Sequence, residues 1–158
     1  MSNDSLAGLS ADEVRHLGDV AGAMVPADGA WGVPGADDAA ILSDIVQSLG
    51  HDVPLVRQAL GEIAAKAGGA FATLDRDRRE KLINEAYAGR SAAMVALGRV
   101  VVAAYYRDDR VLMALKFEPR PPFPEGYALE QGDWSLLDAV RNRPPFWRDD
   151  RGTSAGER

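Results

Sequence analysis

The stretch Ser91-Ala92-Ala93-Met94-Val95-Ala96-Leu97-Gly98-Arg99-Val100-Val101-Val102-Ala103-Ala104-Tyr105-Tyr106 decides how this chain folds. Its only charged side chain is Arg99, and alanine and larger aliphatic residues fill most of the other positions. The run of valines would also suit a buried strand, but the length and the alanine content favour a helix. Since a helix that is apolar on every side is normally buried on every side, this stretch is predicted to be the central helix of an all-α body.

Four further helices are predicted before this one from their caps and their ends. Ser10 and Glu13 have the spacing of a capping box at the start of the first helix. The other predicted starts, that of the central helix included, are acidic or hydroxyl side chains: Asp37 or Asp38, Asp52, Asp75 and Ser91. The predicted ends are marked by proline or glycine: Pro26, Gly50, Gly68-Gly69 and Gly89.

Apolar side chains recur every three or four residues along these helices, and this spacing predicts their buried faces. The first face is Val14, Leu17, Ala21 and Met24. The second is Ile41, Ile45 and Leu49. The third is Leu55, Ala59, Leu60, Ile63 and Ala67. The fourth is Leu82, Ile83, Ala86 and Tyr87.

After a polar break and one or two helical turns, the chain changes character between Lys116 and Arg148. The beginning of this segment, Glu118-Pro119-Arg120-Pro121-Pro122-Phe123-Pro124, excludes regular helix or central strand because proline lacks the backbone N–H. Trp, Tyr, Phe and Arg dominate protein interfaces, so the segment is predicted to be an extended arm that binds a second protein. The candidate interface residues are Phe123, Tyr127, Trp134, Leu137, Arg141, Phe146, Trp147 and Arg148.

A short helix within the arm is predicted from Trp134 to about Arg141, with Asp133 as its cap. In the alternative interpretation, Trp134, Phe146 and Trp147 fold back and complete the core of the same chain. The predicted fold class is all-α, one domain of five to six helices with an extended C-terminal arm rich in proline and aromatic residues. The predicted boundaries are 9–115 for the helical body, 116–148 for the arm, and 1–8 and 149–158 for flexible termini.

Composition and charge narrow the possible functions. With 158 residues, of which 46% are hydrophobic and 27% charged, the chain has the composition of an ordinary soluble domain. Its net charge of −6 argues against a nucleic-acid surface, and the absence of cysteine excludes disulfides and thiolate sites. The first residues do not have the pattern of a secretory signal, so a cytoplasmic location is expected.

The sequence nominates no catalytic, cofactor-binding or metal-binding residue. His16 and His51 are the only histidines, and only His16 follows a glutamate, Glu13, by three residues, whereas di-iron helical bundles require such a pair on each of two helices. The glycines form neither a dinucleotide-binding turn nor a phosphate-binding loop. His16 is therefore interpreted as a partly exposed helix residue and His51 as a loop residue.

An ordered set of short motifs resembles a known family. Met24-Val25-Pro26-Ala27-Asp28 closes the first helix, Pro34-Gly35-Ala36 closes the next loop, and Ile41-Leu42-Ser43-Asp44-Ile45 follows. Later come Phe71-Ala72-Thr73-Leu74-Asp75, Tyr105-Tyr106-Arg107-Asp108 and Gly126-Tyr127. Between about Leu9 and Arg148 the chain thus resembles the gluconate 2-dehydrogenase subunit 3 family, the small subunits of bacterial flavin-dependent dehydrogenases.

The resemblance implies a non-catalytic helical subunit that binds and stabilises a large flavoprotein of the glucose-methanol-choline oxidoreductase type. In such pairs the large subunit carries FAD and oxidises an alcohol group of a sugar or a related compound. This chain departs from many family members because it lacks a twin-arginine signal and, after Arg107, the glycine-rich ending of the membrane-associated enzymes. Both departures favour a soluble cytoplasmic complex.

Two other function classes stay open at this point. The chain can be a free-standing helical adaptor with no redox partner, which purification from the native host would distinguish by the absence of a yellow companion. An enzyme in its own right is the weaker alternative, because no residues with catalytic spacing occur in the sequence. Assay of the isolated chain for turnover is the direct test of that alternative.

Overall fold

The computed structural model describes residues 8–121, 123–128 and 130–144. These residues form α-helices and no strand, which confirms the predicted all-α class. The helices are α1 (Ala11–Met24), α2 (Ala39–Ser48), α3 (Val53–Lys66), α4 (Arg76–Ala88), α5 (Ala92–Tyr105), α6 (Asp109–Ala114) and α7 (Asp138–Arg141). Short 3-10 helices occupy Gly50–Asp52, Phe71–Thr73 and Trp134–Leu137.

The chain separates by its internal contacts into two compact units, Met1–Arg120 and Pro121–Arg158. The first unit contains α1 to α6. The second contains the 3-10 helix Trp134–Leu137 and α7, which continues directly from it.

The helices begin at the residues that their caps predict. Ser10 Oγ accepts a hydrogen bond from the backbone of Glu13 at 3.2 Å, and the Glu13 carboxylate accepts one from the backbone of Ser10 at 2.7 Å. This reciprocal pair is the predicted capping box. Four further helices have an N-cap side chain that accepts a hydrogen bond from a backbone N–H, and these caps are Asp38, Asp75, Ser91 and Asp108.

Asp52 precedes α3 as predicted, but its side chain does not cap the helix. Its backbone is helical, with φ −82° and ψ −8°, because a 3-10 turn runs directly into α3. A capping side chain normally needs an extended backbone at its own position. The carboxylate is instead buried, with 5% of the residue exposed, and accepts hydrogen bonds from Nη2 of Arg99 at 2.7 and 2.6 Å. Asp52 thus joins α3 to α5.

The hydrophobic core of the first unit is centred on α3 and α5, which make the most extensive contact between helices. Helix α2 also packs against α5, while α1 packs against α3 and α4. Among the described residues, every buried hydrophobic side chain falls between Leu17 and Val111. The largest fully buried side chains include Phe71, Leu17, Ile41, Ile45, Leu49, Ile63, Met94 and Leu97.

The buried face of α3 includes Val53 and Val56, which were not predicted, and it does not include Leu55 and Ala67, which were. Val56 is fully buried, whereas Leu55 and Ala67 are only half-buried. Leu55 and Val56 are adjacent and both apolar, so helical spacing alone does not choose between them. The choice is made by packing against the neighbouring helices, chiefly α5.

The prediction that α5 is buried on all sides is wrong. Helices α2, α3 and α4 cover only part of its circumference, and they bury Met94, Leu97 and Val101 among others. An exposed row remains at the helical spacing of three and four residues, and we call it the outward stripe. It consists of Ala92, Val95, Arg99, Val102 and Tyr106.

Gly98 allows α4 and α5 to approach closely. A Cβ atom at this position would lie 2.9 Å from Cζ of Tyr87 and closer still to the tyrosine hydroxyl. Real Cβ atoms do not come so near to other heavy atoms, so any larger side chain requires Tyr87 to move. The glycine in the middle of an otherwise strongly helical stretch is therefore explained by packing.

Candidate functional site

The predicted interface residues that the structure describes lie at the surface. Phe123 is 85% exposed and Trp134 is 59% exposed, and Tyr127 and Leu137 are exposed as well. Arg141 is also exposed. The remaining three predicted residues, Phe146, Trp147 and Arg148, lie outside the described residues. The exposed apolar surface of the second unit also includes Leu136 and Val140, which the sequence prediction did not nominate.

Local hydrogen bonds build the helical part of the arm. Asp133 Oδ1 accepts from the backbone and the hydroxyl of Ser135, at 3.0 and 2.6 Å, and these bonds lower the pKa of the Asp133 carboxyl. The turn that follows contains Trp134 and Leu137, and α7 ends with Arg141. These three predicted residues are thus placed at intervals of three and four along consecutive helical turns.

The polar groups of Trp134 and Arg141 have interaction partners within the same segment. Nε1 of Trp134 donates to Oε1 of Gln131 at 3.4 Å, and Nη1 of Arg141 lies 3.4 Å from Oδ1 of Asp138. The indole N–H is therefore satisfied while most of the ring area stays exposed. An aromatic side chain of this kind offers a partner a large apolar surface without an unsatisfied donor.

Ion pairs between helices hold the end of α5 and the start of α6 in place. Arg110 donates through Nε and Nη2 to the carboxylate of Asp108, at 2.9 and 2.8 Å, and this lowers the pKa of Asp108. Arg107 reaches across to Asp44 of α2 at 2.7 Å. These pairs lie beside Tyr105, whose hydroxyl pKa is raised mainly by burial. The hydroxyl therefore stays a donor at neutral pH.

The histidines have structural surroundings. Nε2 of His16 lies 3.2 Å from the carbonyl oxygen of Leu60, and its ring meets that of Phe71 edge-on at 5.7 Å. His16 is half-buried on α1, as the sequence indicates for a partly exposed helix residue. His51 is exposed in the 3-10 turn before α3, with Nε2 3.6 Å from Asp52. Neither histidine has a nucleophile within hydrogen-bonding distance among the described residues.

An open cleft of about 580 Å³ lies between α1 and α4. Carboxylates and guanidinium groups both line it, together with the glycines of α1. One of these cations, Arg79, donates to the backbone carbonyl of Leu74 at 2.9 Å and so secures the start of α4. Within the described ranges no three His, Asp or Glu side chains are grouped as metal ligands, and no helix is long and apolar enough to cross a membrane.

Sequence reasoning missed two exposed features of the body. One is the outward stripe of α5. The sequence contained a signal for it in Arg99, because a fully buried helix does not carry a charged side chain without a partner. The other is Trp31, which is 65% exposed in the loop between α1 and α2. Its signal was the pattern Asp28-Gly29-Ala30-Trp31-Gly32, where turn-forming residues surround one large aromatic side chain.

The first unit is thus a helical body with its own hydrophobic core, and the second unit carries exposed aromatic side chains. No protein-family model, curated protein or solved structure matches the chain. The function is therefore argued from the residues themselves.

Proposed function

We propose that this chain is the non-catalytic small subunit of an oxidoreductase complex. Its partner is an FAD-dependent oxidoreductase of the glucose-methanol-choline type that acts on a sugar, a glycoside or a related alcohol. The chain binds and stabilises this large subunit, which carries the FAD and the catalytic groups. No residue of the chain is assigned to catalysis or to a cofactor.

The observation that carries the binding role is the exposed apolar surface of the second unit. Phe123, Trp134 and Leu136 are each more than half exposed, although side chains of this kind are normally buried. The hydrophobic core of the first unit described above ends at Val111. Exposed aromatic side chains are enriched at protein-binding sites.

The choice of a flavoprotein partner depends on the family resemblance. Three of the motifs that carry the resemblance lie at helix ends. Val25 is the C-cap of α1, Phe71–Thr73 is the turn before α4, and Asp108 caps α6 after the Tyr105-Tyr106 pair. The ordered set of motifs in the sequence is what supports the choice of a flavoprotein partner.

A cytoplasmic complex is the second part of the proposal. It depends on the segment after Arg107, which is rich in proline and aromatic residues, whereas the membrane-associated members of the resembled family are rich in glycine there. Cell fractionation tests this point, because the chain and its flavoprotein are expected together in the cytoplasmic fraction. Recovery of the pair from the periplasm or the membrane would contradict it.

Purification of the tagged chain from its native host tests the function. A large yellow companion with the absorbance of bound flavin is expected to co-elute in a fixed ratio. Trp134→Ala is expected to weaken the complex by about 2 kcal/mol, whereas Trp134→Phe, which keeps most of the apolar area, retains most of the affinity. Recovery of the chain alone, or with a companion that contains no flavin, would overturn the proposal and favour the free-standing adaptor.

A further inference from the structure

One aspartate of the body is followed directly by a glycine. Asp28-Gly29 is the only Asp-Gly or Asn-Gly pair in the sequence, and it lies in the loop between α1 and α2. Both residues are exposed, and no atom lies within 4 Å of a Cβ placed on Gly29. Because glycine has no side chain, nothing on Gly29 hinders the approach of its backbone nitrogen to the preceding carboxyl group. The pair therefore has the composition that favours ring closure between an aspartate side chain and the main chain.

Hydrogen bonds fold the side chain of Asp28 over the peptide units that follow it. Asp28 Oδ1 accepts from the backbone N–H of Ala30 at 2.8 Å and from that of Trp31 at 3.3 Å. This is the arrangement of an Asx turn, in which a side-chain oxygen takes the place of a main-chain carbonyl oxygen. Since the two donors follow Gly29 directly, the carboxyl group of Asp28 is held close to the Gly29 peptide unit.

The same hydrogen bonds prepare the carboxyl group for attack by a nucleophile. Two N–H groups directed at Oδ1 stabilise the negative charge that develops on this oxygen when a nucleophile adds to Cγ, as an oxyanion hole does. Within the described ranges Oδ2 of Asp28 has no hydrogen-bond partner, and the backbone N–H of Gly29 donates to no acceptor. One carboxyl oxygen is thus free to leave, and the nitrogen is free to attack.

We propose that Asp28-Gly29 is a site of spontaneous aspartate isomerisation. The backbone nitrogen of Gly29 bonds to Cγ of Asp28 and gives up its proton, while the Cγ–Oδ2 bond of the protonated carboxyl group breaks and the oxygen leaves as water. The product is a cyclic succinimide. Solvent water then adds to one of its carbonyl carbons and reopens the ring. Opening at the former main-chain carbonyl gives isoaspartate, and opening at the other carbonyl restores aspartate.

Isoaspartate at this position removes the hydrogen bonds that hold the loop. It lengthens the main chain by one methylene group, and the chain then runs through the former side chain of Asp28. The former main-chain carbonyl, which accepts from the backbone N–H of Val33 at 3.0 Å, becomes part of a free carboxylate. The bonds from Ala30 and Trp31 are lost as well, so the loop loosens. This modification does not depend on the proposed function.

Incubation of the folded full-length chain in warm, mildly acidic buffer tests the proposal. Peptide mapping by electron-transfer mass spectrometry, which distinguishes isoaspartate from aspartate, is expected to find isoaspartate at position 28 before any other aspartate position. Gly29→Ala is the matched variant, because the space around Gly29 and its φ both accept a methyl group. It should lower the yield about tenfold, since small displacements of reacting groups slow intramolecular steps strongly. Absence of isoaspartate at position 28, or an unchanged yield in Gly29→Ala, would overturn the site.

A second comparison tests the contribution of the loop. The folded chain should form isoaspartate at position 28 at least as fast as the same chain unfolded in guanidinium chloride. Modification of the unfolded chain alone would mean that the loop protects Asp28, and the proposal would be overturned. In the isomerised folded chain, amide hydrogen exchange at Ala30, Trp31 and Val33 is expected to be faster than in the fresh chain. Unchanged exchange at these amides would overturn the loosening of the loop.

Discussion

Arg110 binds the carboxylate of Asp38 through two hydrogen bonds, from Nη2 to Oδ1 at 2.7 Å and from Nη1 to Oδ2 at 3.1 Å. Asp38 is the N-cap of α2, and Arg110 lies in α6, so this contact joins the second helix to the last helix of the body. The hydrogen bonds from Arg110 are the main reason that the pKa of Asp38 is lowered to about 2.

This pair makes the stability of the body depend on pH in the acid range. A carboxyl group with a lowered folded-state pKa stabilises the folded state above its unfolded pKa of about 3.9. That contribution is lost as the pH falls toward the folded-state pKa of Asp38, about 2. Arg110→Gln is therefore expected to unfold at a higher pH than the parent, with the largest stability difference above pH of about 4.

Acid titration followed by circular dichroism measures this effect. Arg15→Gln is the matched control, because Arg15 pairs with Asp12 and both side chains are largely exposed. Exposed pairs contribute little, so this variant should follow the parent curve. Coincident acid-unfolding curves for Arg110→Gln and the parent would contradict the assigned role of the pair.

Gly98→Ala is expected to destabilise the body although alanine is the better helix former. The new methyl group would meet the ring of Tyr87, 2.9 Å from Cζ, and overpacking of this kind costs about 1–3 kcal/mol. Gly61→Ala in α3 is the control, since no atom lies within 4 Å of a Cβ placed there. Gly61→Ala should raise the free energy of unfolding of the body by about 0.5–1 kcal/mol. Urea unfolding of both variants gives the comparison, and an equal gain in both would refute the packing explanation.

Removing Arg99 is expected to destabilise the body more than neutralising its partner does. Arg99→Leu leaves the carboxylate of Asp52 buried without its donor, which should lower the free energy of unfolding by about 2 kcal/mol. This loss is smaller than for a fully buried pair because the guanidinium of Arg99 is half-exposed. Asp52→Asn removes the charge itself and should cost less. In the double variant the two effects should be strongly non-additive when measured by denaturant unfolding. Simple additivity would indicate that the two side chains do not depend on each other.

Much of the fold follows from local rules that the sequence displays. The caps at Ser10, Asp75 and Ser91 were predictable because each places a short polar side chain directly before an apolar helical pattern. Helical spacing determines which residues share a face, so core residues such as Leu17 and Ile45 were predictable. These properties depend on only a few neighbouring residues.

The features that sequence reasoning missed depend on contacts between distant segments. The carboxylate of Asp52 forms an ion pair with Arg99, which lies 47 residues away in the sequence. No local sequence pattern predicts that pairing. The exposure of Val95 and Val102 depends on how much of α5 its neighbours cover, which helical spacing does not determine. The exposure of Trp31 was missed for a related reason. The proline and glycine content of its segment predicts a loop, but it does not predict which side chains of the loop are exposed.

The body is expected to fold without the second unit. All buried hydrophobic residues that the structure describes lie at or before Val111, and α6 is closed by its own backbone hydrogen bonds, including one from Phe117 to Leu112. A chain ending at Arg120 should therefore keep its helix content and unfold cooperatively near the temperature of the full chain. If the proposed function is right, it should also lose affinity for the proposed flavoprotein partner, because the exposed aromatic side chains of the arm are gone.

A second truncation provides the control for this prediction. A chain ending at Tyr106 also lacks Arg110, the partner of Asp38, and Val111, which is fully buried. Loss of a buried aliphatic side chain and of an ion pair between helices should lower its unfolding temperature markedly. If instead the chain ending at Arg120 is already molten, with helix content but no cooperative transition, then the arm contributes to the core. The aromatic residues of the second unit would then have a structural role, and their assignment to a partner would fall.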